Sequence, residues 1–252
     1  MKNRVGITLY NVRNELKEDF FGTLKVLADM GYPAIQLSGF DFKTQDPVKI
    51  KSEADKLGLK IAGMHFSYGA VQNELDFYMN YMDIVGSRYM VVPALPEEVR
   101  SLDGFKKAAD ILNEKGRILK ENGFKLGYHN HAFEFEKYGD KMGMDILMEN
   151  LEPDLVFFEA DVYWVKKGGQ DILKTLNKYN RKAYLLHIKD MEDSEEASFC
   201  EIGEGTIDFK EIFQLKDKYE IDWFVIEQDR GNKPALESAK ISIDNLKKMG
   251  LF

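Results

Sequence analysis

Short apolar runs rich in Val, Ile, Leu and Tyr alternate with longer stretches of helical periodicity along the whole chain. The runs span residues 5–9, 34–37, 60–65, 89–93, 125–129, 155–160, 183–188 and 223–227. Between and after them, apolar spacing predicts helices near 18–30, 47–57, 75–85, 104–121, 142–150, 172–179, 209–218 and 236–249. In the first of these, Phe21, Leu24, Leu27 and Ala28 fall on one face. Gly31 and Gly58 stand where a helix stops and a strand follows.

Eight strand–helix pairs in strict alternation require parallel strands joined by helical crossovers. Nearly continuous apolar strands fit a sheet covered on both faces. In a chain of 252 residues, eight units take about 31 residues each and use the whole length, as a closed (β/α)₈ barrel does. A doubly wound open sheet would carry a phosphate fingerprint after an early strand, and neither G-x-G-x-x-G nor a P-loop motif is present. The acidic stretch from Glu192 to Glu196 falls between the seventh strand and its helix, as a loop insertion. No low-complexity linker divides the chain, so one α/β barrel domain is predicted over residues 1–252.

Composition narrows the function classes. A formal charge of −8 opposes binding to a phosphate backbone. The lone Cys200 rules out an internal disulfide or a Cys-rich zinc site, which fits a reducing compartment. Lys2 and Arg4 precede an apolar run too short for a signal core, interrupted by Asn11 and Arg13, and nothing approaches the ~20 apolar residues of a membrane span. The expectation is a soluble, cytoplasmic protein.

Histidine is the informative residue. In such barrels the active site forms where strands end, and all four histidines fall there: His65 after strand three, His129 and His131 after strand five, His187 near the end of strand seven. Asp161, Glu227 and Glu134 share that rim. Any one alone reads equally well as a polar strand cap; seven together read as a site. Mixed oxygen and imidazole donors suit one divalent cation, Mn²⁺ first, with Mg²⁺, Co²⁺ or Zn²⁺ as alternatives. Such an ion polarises a carbonyl and orients the hydroxyl beside it.

The run Leu126-Gly127-Tyr128-His129-Asn130-His131-Ala132-Phe133-Glu134-Phe135 resembles the strand-five signature of the xylose isomerase-like TIM barrels, the sugar phosphate isomerase/epimerase superfamily. The segments 158–164, 187–190, 203–209 and 225–227 resemble that family's later motifs, in the expected order. The resemblance covers essentially the whole chain. Its members include ketose 3-epimerases, hydroxypyruvate isomerases, inosose dehydratases, lyases of 3-oxo-glycosides and endonuclease IV repair enzymes. It implies one divalent metal held by Glu134, Asp161, His187 and Glu227. His129 stands where many epimerases carry a Glu, which makes His129 or His131 an alternative ligand or an acid/base group. Trp164 stands where several epimerases place a substrate-binding His.

The implied chemistry is proton abstraction next to a carbonyl on a small carbohydrate. The catalytic set is then His131, His129, Glu134 and Glu227, with His131 preferred as base and His65 second, because imidazole titrates near working pH. The plainer role for His131 is support of Glu134. Substrate contacts fall to His65, Lys189, Trp164, Tyr163 and Tyr10, with Ser38 completing a pocket wall. Lys189 points to the same side as His187 and reads equally well as solvated. The aromatic rim of Phe66, Tyr68, Phe133, Phe135, Tyr163 and Trp164 suits stacking on sugar faces or packing under loops. Gly203 and Gly205 mark a loop of unusual backbone angles, and the paired lysines 106–107, 166–167 and 247–248 read as solvated helix faces or ends.

An isomerase or epimerase is the leading reading. A lyase or dehydratase on an oxidised sugar is the alternative, motivated by His129, His131 and Trp164. A repair endonuclease is disfavoured, since a three-zinc cluster needs more ligands than four histidines supply and the charge opposes DNA. A non-catalytic sugar-binding barrel is the bland alternative. The partner expected is a small carbohydrate, with no nucleic acid and no membrane, and family habit adds a homo-oligomer.

Overall fold

The computed structural model describes residues 4–252, so Lys2 lies outside it. Eight parallel strands form one sheet: β1 (Val5–Thr8), β2 (Ala34–Leu37), β3 (Lys60–His65), β4 (Tyr89–Val92), β5 (Lys125–His129), β6 (Val156–Glu159), β7 (Leu185–Ile188) and β8 (Trp223–Ile226). Their order is β6-β5-β4-β3-β2-β1-β8-β7, which is sequential around a barrel. At the remaining seam, β6 and β7 meet through the single parallel bridge Asp161↔His187, where the His187 N–H donates to the Ala160 carbonyl at 2.9 Å. Further back along the same seam the Phe158 N–H donates to the Lys182 carbonyl at 3.1 Å.

The crossover helices are α1 (Phe20–Asp29), α2 (Pro47–Leu57), α3 (Leu75–Val85), α4 (Leu102–Glu121), α5 (Gly143–Asn150), α6 (Ile172–Tyr179), α7 (Phe209–Phe213) and α8 (Ala235–Lys248). Local chemistry sets their ends. Asp46 caps α2 by accepting the Val48 N–H at 2.9 Å, Pro47 supplies the first helical residue, and Gly58 closes the helix at φ +70°. Two helical patterns resolve differently from the apolar spacing. The first starts only at Phe20, because Asp19 is extended and caps α1, and a separate short helix, Arg13–Glu18, precedes it. The seventh stops at Phe213, because Gln214 and Leu215 close i→i+3 bonds to Glu211 and Ile212. Short helices Tyr68–Asn73 and Val162–Lys167 and two small hairpins occupy βα loops. Among the described residues, no helix is long and apolar enough to cross a membrane.

Alternation along the strands builds the interior in layers. Gly63, Gly127, Phe157 and Leu185 point inward two residues before His65, His129, Glu159 and His187. Val91, Phe157 and Leu185 pack with Tyr89, Tyr184 and Trp223 into a small plug toward the N-terminal ends of the strands. The apolar plug therefore supports a polar layer at the mouth. A much larger cluster lies between the strands and the helices.

The stretch from Glu192 to Glu196 sits within the hairpin of Asp190–Met191 with Phe199–Cys200. Asp190 then gathers the following loop: Oδ2 accepts from the Gly203 and Gly205 N–H groups at 2.9 and 3.0 Å, and Oδ1 from Met191 and Ile207 at 2.8 and 3.2 Å. Gly203 adopts φ +86°, and a Cβ on Gly205 would lie 2.3 Å from the Met191 carbonyl oxygen. Gly205→Ala is therefore expected to cost at least about 1 kcal/mol, read as a lower urea midpoint at unchanged slope. Gly69→Ala, which meets only Ser67 Oγ at 3.9 Å, is the neutral control.

Candidate active site

The polar layer is centred on Glu159, which ends β6 and is fully buried. Its Oε2 lies 2.6 Å from His65 Nε2, 3.1 Å from His129 Nδ1 and 3.4 Å from His187 Nε2. Its Oε1 accepts from Gln36 Nε2 at 2.7 Å. Gln36 Oε1 in turn receives the Nε2–H of His187 at 2.8 Å. Burial alone would raise the Glu159 carboxyl, but His187 and His65 outweigh it and hold the group well below its ordinary value.

These bonds orient two imidazoles. His129 gives its Nδ1–H to Glu159 and His187 gives its Nε2–H to Gln36, so His129 Nε2 and His187 Nδ1 face the other way. There they meet two carboxylates: His129 Nε2 is 3.9 Å from Asp161 Oδ2, and His187 Nδ1 is 2.9 Å from Glu227 Oε2. Ligand atoms of His129, Asp161, His187 and Glu227 lie within 4.8 Å of one another. A second group, of His65, His129, Glu159 and His187, meets the same criterion. It uses the nitrogens already committed to Glu159 and Gln36, so it reads as the hydrogen-bonded support of the first.

Asp161 is set for the purpose by its surroundings. It caps the helix Val162–Lys167, with Oδ1 accepting the Trp164 N–H at 3.0 Å, while its own N–H donates to Asn130 Oδ1 at 3.0 Å. Asn130 of the strand-five motif thus fixes the strand-six acid. Asp161 Oδ2 has no hydrogen-bond partner in this buried position, although the Lys189 ammonium lies 3.1 Å away. A buried carboxylate oxygen that meets only the Lys189 ammonium and faces two imidazole nitrogens and a second carboxylate fits a divalent cation.

Lys189 is the unexpected member. It is fully buried, and its Nζ reaches Asp229 Oδ2 at 2.7 Å, Glu227 Oε2 at 2.9 Å and Asp161 Oδ2. Burial works against the ammonium, yet the three carboxylates hold it well above its ordinary value. The solvated reading of this lysine does not survive. His187 behaves alike: burial opposes its charge, but Glu159 and Glu227 push it up to about 10. To ligate a metal, His187 gives up its Nδ1 proton while keeping the bond to Gln36. Burial brings His129 down to about 4, a neutral imidazole suited to ligation.

Glu134 stands apart from this convergence. Its carboxylate accepts the Tyr128 hydroxyl at 2.7 Å and the His131 N–H at 2.8 Å, folding the loop after β5, and it belongs to neither group of converging ligand atoms. His129 occupies the strand-five place among them. Burial raises the Glu134 carboxyl to about 7, with Tyr128 pulling the other way. A raised carboxylate pKa favours the fold most below the ordinary value near 4.5, and that contribution is lost as pH rises through about 7. Glu134→Gln should flatten the fall in stability over that window by roughly 3 kcal/mol relative to the parent chain, measured by urea titration at several pH values.

His131 lies against Trp164, ring centroids 5.2 Å apart, and His131 Nδ1 and Trp164 Nε1 are buried without hydrogen-bond partners. Burial holds the His131 imidazole well below its ordinary value. The Tyr163 hydroxyl donates to the Ala197 carbonyl at 2.8 Å, a tie to the hairpin. Tyr10, Ser38 and His65 line a cleft of about 740 Å³ at the mouth. Sequence reasoning left Glu159, Gln36 and Asp229 without roles. A Glu inside Phe-Phe-Glu-Ala and a Gln inside Ala-Ile-Gln-Leu were the available signals, since a polar group in a buried strand needs a partner.

A model of the xylose isomerase-like TIM barrel matches residues 24–249. Inosose dehydratase of Clostridium beijerinckii is 25% identical over 222 residues, covering 72% of this chain and 73% of that protein. The crystal structure of a sugar phosphate isomerase/epimerase from Parabacteroides distasonis superposes with a TM-score of 0.81 at 28% identity, covering 98% of this chain and 94% of that one. The IOLI protein, solved with a bound zinc atom, has the same fold at 17% identity, with a TM-score of 0.73 and 97% of each chain covered.

Proposed function

The chain belongs to the xylose isomerase-like TIM barrel family, and on that premise we propose that it is a divalent-metal-dependent enzyme that removes a proton next to a carbonyl of a small carbohydrate. One observation carries this reading. His129 and His187 each spend one nitrogen on the Glu159–Gln36 layer and turn the other toward Asp161 and Glu227. Those four residues are the proposed ligands, with Mn²⁺ the first candidate for a site half carboxylate. A divalent ion there supplies Lewis acidity to a carbonyl and its neighbouring hydroxyl.

The side chains divide the remaining work. His131 is neutral and half-buried, with a buried Nδ1 that has no hydrogen-bond partner, which equips it to take the proton from carbon. Trp164 Nε1, equally unpartnered, donates to a substrate hydroxyl. Lys189 holds its proton too tightly for an acid, so it stabilises negative charge developing on oxygen. His65 lines the cleft and is the second proton carrier, returning the proton to carbon or delivering it to a departing hydroxyl.

Those two endings separate the readings. Return to carbon gives isomerisation or epimerisation, the activity named for the Parabacteroides protein. Delivery to a hydroxyl gives dehydration, the activity named for the Clostridium protein. Candidate ketoses, inososes and 3-oxo-glucosides are incubated in D₂O and followed by NMR, after chelation and again with Mn²⁺ restored. Solvent deuterium should enter at the carbon beside the carbonyl only with metal present, and the product then distinguishes an isomer from an unsaturated ketone. Turnover that persists after exhaustive metal removal rejects the proposal.

A further inference from the structure

Three carboxylates surround the Lys189 ammonium, and they are not equivalent. Asp161 and Glu227 are proposed ligands, whereas Asp229 lies outside both groups of converging ligand atoms. Yet Asp229 makes the shortest contact, with Oδ2 2.7 Å from Lys189 Nζ against 2.9 Å for Glu227 and 3.1 Å for Asp161. It is also the member that faces outward: its side chain is 24% exposed, where those of Glu227 and Asp161 are 7% and 0% exposed. Two hydrogen bonds fix the chain that carries it. The Asp229 carbonyl accepts from Arg13 Nη2 at 2.8 Å, and the Gln228 N–H donates to Asn11 Oδ1 at 2.9 Å. Consecutive residues after β8 are thereby held to the segment after β1. The rings of Trp164, Phe199 and Tyr163 complete the surroundings of the ammonium, with centroids 5.1, 5.4 and 5.8 Å from Nζ.

We infer that Asp229 is a positioning residue, which supplies the counter-charge that keeps Lys189 from competing with a divalent ion for Asp161 and Glu227. The reason is charge balance. Two carboxylates neutralise a divalent ion, and His129 and His187 add no charge when each ligates as a neutral imidazole. The lysine is then left with Asp229 alone as its counter-ion. In a site closed to solvent, two cations that share one pair of carboxylates repel strongly, because charges act on one another far more in a protein interior than in water. An amide at position 229 withdraws the counter-charge and leaves the ammonium leaning on Asp161 and Glu227, where it opposes the ion at its own ligands. With the carboxylate in place, the ammonium stays charged and anchored beside the ligand set, ready to meet negative charge developing on a substrate oxygen. The inference rests on the metal-dependent reading above and assigns a role to a residue outside the ligand set.

A double-mutant cycle read by metal binding tests it without turnover. The parent chain, Asp229→Asn, Lys189→Met and the double variant are freed of metal by chelation, checked for folding by circular dichroism and titrated calorimetrically with Mn²⁺ at one pH. Asp229→Asn should weaken Mn²⁺ binding about tenfold, a size ordinary for coupled neighbours. In the Lys189→Met background the same substitution should cost less than about threefold, because no ammonium remains to turn on the ligands. Asp229→Glu, which keeps the charge, should bind within about threefold of the parent. Asp229→Ser carries the same expectation as the amide and replaces it where the amide does not fold. Unchanged affinity in Asp229→Asn overturns the inference. So does an equal loss in both backgrounds, which is a direct pull of the Asp229 charge on the ion, and so does a loss in Asp229→Glu as large as in Asp229→Asn. Failure of the metal reading looks different: a parent chain that binds no Mn²⁺ rejects that reading, and the role of Asp229 falls with it.

Discussion

Replacing Glu227 with glutamine is expected to lower kcat/KM by about 10²–10³-fold, because the weakened ligand set would no longer hold the ion that stabilises charge developing on oxygen. Mn²⁺ affinity should fall with it, by more than the ~10–100-fold typical of a residue that merely orients a ligand. The reason lies in how Glu227 is held. Burial alone would raise its carboxyl, but Lys189 and His187 keep it well below the ordinary value, so it stands ionised between two cations. Glutamine preserves shape and removes the charge. Calorimetric titration with Mn²⁺ reads the effect directly, and unchanged affinity would assign Glu227 to the support of His187 and Lys189 alone. Gln36→Leu makes an informative companion, because it leaves all four proposed ligands in place and removes the bond that selects the His187 tautomer.

Lys189→Met should have the largest effect on stability. The ammonium sits among Asp161, Glu227 and Asp229 with no access to solvent. Removing one member of a buried charge cluster leaves the others uncompensated, at about 3–5 kcal/mol. For a chain of this size that corresponds to a loss of roughly 10 °C in Tm. The sign of the metal response distinguishes this from ordinary core damage. The variant leaves three carboxylates with only the His187 imidazolium beside them, so saturating Mn²⁺ should restore more of its Tm than it adds to the parent. A cavity left by a missing alkyl chain would show no such recovery. Differential scanning fluorimetry in EDTA and in Mn²⁺ measures both quantities.

Much of this arrangement is legible in the chain. The apolar runs that carry His65, His129, Glu159 and His187 at or one residue before their ends coincide with barrel strands, and period-two alternation places those residues inward once the strand ends are known. The rim location of all four histidines follows from the same reading. Partner choice is what the sequence conceals. Nothing in Tyr128-His129-Asn130-His131 says that Asn130 reaches across to the backbone of Asp161, a contact between residues 31 apart. Nor does Glu134 reveal that its two oxygens are spent on Tyr128 and on the His131 N–H. Family resemblance points to the acid, and local hydrogen bonding sets it apart from the converging ligand atoms. Lys189 is concealed for the opposite reason: lysines are seldom fully buried, and only three facing carboxylates from distant segments make this one an exception.

The seam between β6 and β7 gives the candidate site a mechanical meaning. Elsewhere around the barrel, neighbouring strands share ladders of two to four paired residues, whereas here a single bridge joins Asp161 to His187. Those two residues are also proposed ligands, one from each side of the gap. A cation shared by them would act as a latch on the incompletely zipped joint of the cylinder, so that filling the site would also tighten the wall. Amide exchange at Ala160, Asp161 and His187 should then slow when metal is bound, while the opposite wall at β2 and β3 keeps its pace.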